Sequence, residues 1–471
     1  MATGVKRQLA ILGAVVLAGC ATFHPEPISP EKTAATFDTR SLTNAHLRAF
    51  LETNHITGEW PRDSWDLSAL TLTAFYYQPA LAEARAHWAV VEGTKITAGE
   101  RPNPTVSVTP GYDAQIPGNF SPWLLNVNFD VPIETAGKRG KRIAEAGHLS
   151  EAAYWSFVSA AWQTRSHIRA ALLNLYATRE TESLLAQQEA AQSNVVRLLE
   201  GQLAVGVVSS YEVTQARVTL GTTRLARQDA TGQSAQARVQ LANALGLPLH
   251  ALDGVELSFA GLDEFPQQLT EPEVRRQALL NRADVRGALA QYAASQSALQ
   301  LEIANQYPDV HLGPGYGWNT GSAGDNEWTL GLSVTLPVLN QNQGPIAEAK
   351  ANRATAAAHF LTVQTTAITE IDSALAGYNA ALQKSATAKS LLGDLQKQLD
   401  SVQAQAQAGE VEPLTLANAE AEYATGAQNQ LDALVKAQGA LGQLEDAVQS
   451  PLTLPPETIR ATQNNFPKTE K

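Results

Sequence analysis

The chain repeats itself once, and at long range. Ile-Ala-Glu-Ala stands at residues 143–146 and again at 346–349. Other markers keep nearly the same offset: Pro104 with Pro308, the Pro-Gly-Tyr of 110–112 with that of 314–316, Pro132 with Pro337, and Gly206 with Gly409. Val213 pairs with Leu416 and Ala216 with Ala419 in the same way. Helix, strand and turn markers recur about 204 residues apart, so the chain is a tandem duplication of one long unit. Solenoid repeats have periods of roughly 20–50 residues, which excludes a stack of small repeats.

Each unit has the same plan. An Ala-rich helix (about 68–99, and 271–305) is closed by Pro102 or Pro308, because proline cannot continue helical hydrogen bonding. Two strand-like runs follow, "TVSVTPGY" with "WLLNVNFDVPI", and "DVHLGPGYGW" with "EWTLGLSVTLP". Leu125, Val127, Phe129 and Val131 alternate with Asn126, Asn128 and Asp130, and Leu330, Leu332, Val334 and Leu336 alternate with small or polar residues. Period two over about ten residues predicts strands with one apolar and one wet face. A long helical tract comes next (about 140–203, and 345–407), with Leu392, Leu395, Leu399, Val402 and Ala406 at heptad-like steps. At ~1.5 Å per residue such a tract reaches roughly 100 Å, far beyond a globular-domain helix. Short breaks at 205–210 and 408–413 precede a returning helix, so each unit ends in a helical hairpin.

The predicted organisation is therefore 1–19 signal peptide, 20–66 tether and extension, 67–246 first repeat, 247–270 linker, 271–450 second repeat and 451–471 tail. Trp123, Trp318 and Trp328 lie near the strand ends, which suits a membrane interface. A water-soluble β-hairpin with aromatic packing is the competing reading. In a membrane, four strands are too few to close a barrel, for which about eight is the practical minimum, so several chains would have to share one.

The only cysteine, Cys20, ends "LAGC", after Lys6, Arg7 and the apolar run of residues 9–18. This is the layout of an export signal, too short to span a bilayer. The pattern resembles the bacterial lipoprotein cleavage box, which implies a covalent lipid on Cys20. Ala21 stands where the inner-membrane retention rule commonly has Asp, so the expected location is the outer membrane. A net charge of -12 argues against a nucleic-acid partner.

With these features in place, "WDLSALTLTAFYYQPALAEARAHW", "AGERPNPTVSV", "DVPIETAGKRGKRIAEA" and "LAVGVVSSYEVTQARVTL" resemble the TolC-like outer-membrane efflux proteins over about residues 65–451. The resemblance implies a mainly helical protomer with membrane strands. Three copies would form a homotrimer, with a twelve-stranded outer-membrane barrel continued by a periplasmic helical tunnel. It implies the exit duct of a tripartite pump, working with a periplasmic membrane-fusion adaptor protein and, through it, an inner-membrane proton-driven (RND-type) transporter. "PIETAGKRGKR" is most similar to the CzcC-like heavy-metal branch. Two rival readings remain: the outer-membrane component of a type I protein secretion system, and a structural coiled-coil lipoprotein that forms no channel.

Candidate sites follow. Gly206 and Gly409 suit helix C-termini that need positive φ, and Ser209 or Ser210 suits the next N-cap. Those roles suffice for a pure turn. The resemblance implies instead that Val205, Gly206, Val207 and Ser209, with Ala408, Gly409, Val411 and Pro413, meet the adaptor. Glu410 and Glu412 are either solvated carboxylates or, under rotational symmetry, an acidic tunnel constriction. Lys138, Arg139, Lys141 and Arg142 are read as snorkelling to lipid phosphates, against a solvated helix start. No catalytic motif is found, and the scattered histidines, His311 among them, show no metal-ligand spacing. The expectation is a non-enzyme without a cofactor beyond the lipid.

Overall fold

The computed structural model describes residues 22–56, 58–112, 114–115, 122–266, 271–319 and 326–452, so Cys20 lies outside the described residues. The chain divides into two units after Ser41. In the first, helix α1 (Pro30–Asp38) begins with proline, and the Ser29 hydroxyl accepts from the Lys32 N–H.

The second unit runs α2 (Ala45–Thr53), β1 (Ser64–Trp65), α3 (Leu67–Tyr77), α4 (Pro79–Gly99), β2 (Thr105–Tyr112), β3 (Trp123–Ile133), α5 (Lys138–Ala204) and α6 (Ser210–Leu245). It continues as β4 (Glu256–Leu257), α7 (Glu271–Asn281), α8 (Ala283–Ala304), β5 (Val310–Asn319), β6 (Asn326–Val334), α9 (Gln343–Gln407) and α10 (Pro413–Val448). The second half thus reproduces the helix, strand, strand, long helix, returning helix order of the first. β1 and β4 form a separate parallel pair.

The four long strands make one antiparallel sheet in the order β2-β3-β5-β6. The two hairpins join through β3 and β5, from Leu124↔Asn319 to Ile133↔Val310. This leaves β2 and β6 as edges. The helices follow the same order: α4 packs on α5, α5 on α8, and α8 on α9. Further along the long helices, α6 and α10 take the places of α4 and α8, giving α6-α5-α10-α9.

Both halves bury matched cores. Ile168, Leu172, Leu175 and Leu241 lie in the first cluster, and their counterparts Ile371, Leu375, Tyr378 and Leu444 lie in the second. Each fully buried aliphatic side chain of this size contributes about 1.5–3 kcal/mol. The first cluster is larger because α2 and α3 add Leu47, Phe50, Leu51, Leu70 and Phe75 to it.

Two expectations need correction. The opening helix of each repeat is two helices, broken at Gln78 and at Arg282, both of which have extended ψ (116° and 127°). In the first repeat Pro79 removes a donor and pushes its predecessor out of the helical region. The second repeat has no proline there. Instead Arg282 is held by Asp284 and Glu370 at 2.7 Å, and its Nη1 donates to the Ala447 carbonyl at 2.8 Å. Gln78 Nε2 donates likewise to the Ala244 carbonyl at 3.0 Å. In both repeats the break places a side chain on the open carbonyls of the returning helix, which need partners. The other correction is that β6 ends at Val334, short of Leu336, since β5 begins at Val310 and offers no partner beyond it.

Candidate functional site

Three surfaces bear on function: the sheet, its joint with the helices, and the hairpin tips.

Residues directly opposite in an antiparallel pair share a face. On one face the register aligns Val106↔Phe129, Val108↔Val127 and Tyr112↔Trp123, then Leu125↔Trp318 and Val131↔Leu312, then Leu312↔Leu332 and Tyr316↔Trp328. Apart from Asn326 opposite Trp318, this face is apolar across all four strands, and its residues on the edge strands, including Val106, Val108, Trp328, Leu330 and Leu332, are exposed. The predicted interface residues Trp123, Trp318 and Trp328 all lie at the end of the strands away from the helices. There Tyr112 packs on Trp123 and Tyr316 on Trp328 with ring centroids 5.2 and 4.8 Å apart.

The opposite face carries Ser107, Asn126, Asn128, Asp130, His311, Glu327, Thr329 and Ser333, with Gly313, Gly315, Gly317 and Gly331 between them. The glycines make room. A Cβ on Gly315 would collide with Asn128 Oδ1 and Thr329 Oγ1, and one on Gly317 would come within 3.1 Å of Asn126 Oδ1. The polar side chains of neighbouring strands therefore lie over β5.

At the joint the basic run has a different role from the predicted one. Lys138 is only 7% exposed, and its Nζ lies 2.8 Å from Asp309 Oδ1, which also accepts from the Thr135 N–H at 2.9 Å. Arg139 Nε donates to the Gly99 carbonyl at 2.6 Å, and Arg142 pairs with Glu134 and reaches the Glu100 carbonyl at 3.4 Å. Three of the four predicted lipid contacts thus tie together the ends of α4 and β3, the start of α5 and the approach to β5. Burial beside Asp309 holds the Lys138 ammonium on protein, Glu134 holds the part-exposed Arg142, and Arg139 is held, among the described residues, by a backbone carbonyl alone. Lys141 makes no ion pair with a described residue. The second repeat ties α8 to α9 at the corresponding place, where Asn342 Nδ2 donates to the Glu302 carbonyl at 2.8 Å.

The tips are built alike. In the first, the Val207 N–H donates to the Gln202 carbonyl and the Gly206 N–H to the Leu203 carbonyl, with Gly206 at φ 78°. In the second, the Glu410 N–H donates to Gln405 and the Gly409 N–H to Ala406, with Gly409 at φ 75°. Both are Schellman endings, which need a left-handed residue. Ser209, not Ser210, caps α6 in a reciprocal box with Glu212, whereas Glu412 precedes Pro413 at the start of α10 without a side-chain cap bond. The Ser209 N–H and hydroxyl both donate to Glu212, and they lower its carboxyl below the ordinary value.

The tips differ in surface. Val205, Val207 and Tyr211 stand 74, 69 and 73% exposed on the first. Ala408, Gly409, Glu410, Glu412 and Pro413 are exposed on the second, while Val411 is half-buried. Beyond the first tip, Val218, Leu225 and Val239 continue from Tyr211 at multiples of seven residues, 62, 64 and 49% exposed. Sequence reasoning missed this stripe, although the seven-residue spacing was its signal.

No described helix is long and apolar enough to cross a membrane, a statement that does not bear on a sheet. No group of three or more His, Cys, Asp or Glu side chains that could hold a metal occurs among the described residues.

An antiparallel sheet with one continuous apolar face, running directly into long helical hairpins, is the fold of an outer-membrane channel protomer. The chain belongs to the outer membrane efflux protein family, whose profile matches residues 76–247 and 274–448, one match in each repeat. The pyoverdine export outer membrane protein OpmQ of Pseudomonas aeruginosa is 26% identical over 36% of this chain. The multidrug resistance outer membrane protein MdtQ of Escherichia coli O157:H7 is 23% identical over 63% of it. The chain spans 36% and 65% of the lengths of those two relatives. The solved structure of CusC aligns with a TM-score of 0.65 at 17% identity, covering 83% of this chain and 94% of that one.

Proposed function

We propose that the chain is the outer-membrane exit duct of a tripartite efflux pump, and that it conducts its substrate passively rather than transforming it. The observation that carries this reading is the four-stranded sheet with one face apolar but for Asn326 at the start of β6, and two edges, β2 and β6, without a partner strand among the described residues. Open sheet edges are not tolerated in hydrocarbon, so the edges must be closed by further copies of the same chain. Three copies supply twelve strands. The exposed stripe from Tyr211 to Val239 on α6 gives the helical layer a matching seam for a neighbouring copy.

In this assembly Trp123, Trp318 and Trp328 lie at the outer membrane interface, the polar face lines the lumen, and the helices extend through the periplasm. The tips, with Val205, Gly206, Val207 and Ser209 on one and Ala408, Gly409, Val411 and Pro413 on the other, receive a periplasmic adaptor that links them to an inner-membrane RND-type transporter. Glu410 and Glu412 border the tunnel entrance. A lipid on Cys20 adds a second attachment to the same membrane, following a signal peptide at 1–19. The cargo is a metal cation or a drug-like molecule.

Outer-membrane fractionation followed by an unheated gel tests the assembly: a heat-labile trimer is expected, and a monomer in the soluble periplasmic fraction would overturn it. Mass spectrometry of the mature N-terminus tests the lipid, which an unmodified Cys20 would refute. Sensitivity of a deletion strain to zinc, cobalt, cadmium, copper or organic drugs then identifies the cargo.

A further inference from the structure

The polar face of the sheet has an unbalanced set of charges. Among the described residues of the four strands it carries Asp130 and Glu327, no lysine or arginine, and one imidazole, His311. His311 Nδ1 lies 3.0 Å from Asp130 Oδ1 and 3.1 Å from Oδ2, on the face opposite Val310 and Leu312. Across the ladder His311 faces Pro132 on β3 and Ser333 on β6, and Asp130 faces Thr105 on β2, so no other charged strand residue opposes the pair directly. Asp309, two residues before His311 and within electrostatic reach of it, is engaged by Lys138 at 2.8 Å. His311 is the second residue of β5, which puts the pair at the end of the sheet where the helices begin. Glu327 lies at the other end, opposite Gly317.

We propose that Asp130 and Glu327 make the barrel lumen selective for cations, and that His311, bonded to Asp130, weakens that selectivity when it takes up a proton. The inference rests on the duct reading, since only a closed barrel turns one face into a lumen, and it narrows the cargo to cations or to molecules with a cationic group. Rings of carboxylates repeated by symmetry favour cations in a pore. With a neutral imidazole each copy presents two negative charges to the lumen from its strands. Protonation of His311 leaves a net of one. Histidine is the side chain whose ordinary change of charge falls between about pH 5 and pH 8.

The test is the reversal potential of the purified full-length protein in planar bilayers under a potassium chloride gradient, at about pH 8 and about pH 5, on either side of the ordinary imidazole range. The wild type should prefer potassium over chloride at the higher pH and lose a large part of that preference at the lower one. His311→Gln should keep the high-pH preference at both values. Asp130→Asn should lower the preference at high pH and, because His311 still gains a positive charge, should bring the channel close to no preference at low pH. Glu327→Gln should lower the preference at both values but keep the response, because it lies at the far end of the sheet. A channel whose selectivity does not change with pH, or a His311→Gln channel that still responds, overturns this inference and leaves the duct standing. Failure of the protein to form any channel overturns both.

Discussion

Arg165 Nη2 lies 3.0 Å from Glu445 Oε2, with the arginine on α5 of the first repeat, the glutamate on α10 of the second, and both side chains almost wholly buried. Arg169 approaches the same oxygen at 3.5 Å and donates to the Gln438 carbonyl at 2.8 Å, while the Leu452 N–H donates to Glu445 Oε1 at 2.8 Å. Gly442 leaves the space in which the Arg169 guanidinium sits. Gln438 Nε2 in turn reaches the carbonyls of Leu262 and Glu264, so one buried network joins two repeats, the connector and the chain beyond α10. Glu445→Gln should destabilise the protein by about 3–5 kcal/mol, because it leaves buried guanidinium groups without their counter-charge. Denaturant unfolding followed by tryptophan fluorescence checks this, and a change of less than about 1 kcal/mol would mean that water reaches the network.

Glycines with the same backbone requirement should tolerate alanine differently. Gly206 has φ 78° and open space where a methyl group would stand, whereas at Gly246, φ 70°, a Cβ would lie 2.9 Å from the Tyr77 carbonyl oxygen. Gly206→Ala should cost about 1–2 kcal/mol from backbone strain alone. Gly246→Ala should cost more, because α6 must also move away from the end of α3. Thermal midpoints of the two variants decide the order.

Side chains on the two faces of one strand should separate cleanly. Leu332→Arg, on the apolar face of β6, should cost about 2–4 kcal/mol if that residue lies near the bilayer midplane, and Ser333→Arg, on the polar face, should be tolerated. Yield of the heat-labile oligomer in outer-membrane fractions reads the difference. Equal loss for both would argue against a lipid-facing apolar side.

Gly315→Ala should impair assembly through Asn128 and Thr329, the side chains that its Cβ would strike. Pairing it with Asn128→Ala should recover part of the oligomer, since removal of one colliding group makes the two changes non-additive. The same gel assay measures the recovery.

Acid should loosen the joint between sheet and helices. Burial pushes the Asp309 carboxyl up, but the Lys138 ammonium and the Thr135 N–H outweigh it and hold the group below its ordinary value. A lowered carboxylate contributes stability that is complete above its unfolded value and is lost as pH falls through its folded one. The loss therefore begins roughly at pH 4 and proceeds downward. Asp309→Asn should be less stable than wild type at neutral pH and lose less on acidification, as read by acid unfolding under tryptophan fluorescence.

The sequence displayed most of this fold because its signals were local or periodic. β2 and β3 begin and end where the alternation from Thr105 and Trp123 begins and ends, and the turns at Gly206 and Gly409 follow from the φ that only glycine adopts freely. What stayed hidden depends on partners distant in the chain. Asp284 is the one partner of Arg282 close in sequence; the others that hold the break, Glu370 and the end of α10, lie far along the chain. Lys138 reads as a surface cation until β5 brings Asp309 to it. The pairing of His311 with Asp130 likewise exists only once the two hairpins are joined.

The glycines of β5 and β6 leave the sheet thin on its polar side and thick on its apolar one, like the tapered stones of an arch. Gly313, Gly315, Gly317 and Gly331 alternate along their strands with larger residues such as Leu312, Tyr316, Trp318 and Leu332, which project the other way, so each course is narrower at its inner edge. Bending toward the glycines relieves crowding among the large side chains and brings the polar ones together over the gap. In the proposed barrel, the taper along β5 and β6 favours bending toward the polar side within each chain. Assembly as proposed then joins segments that already favour one direction of bend.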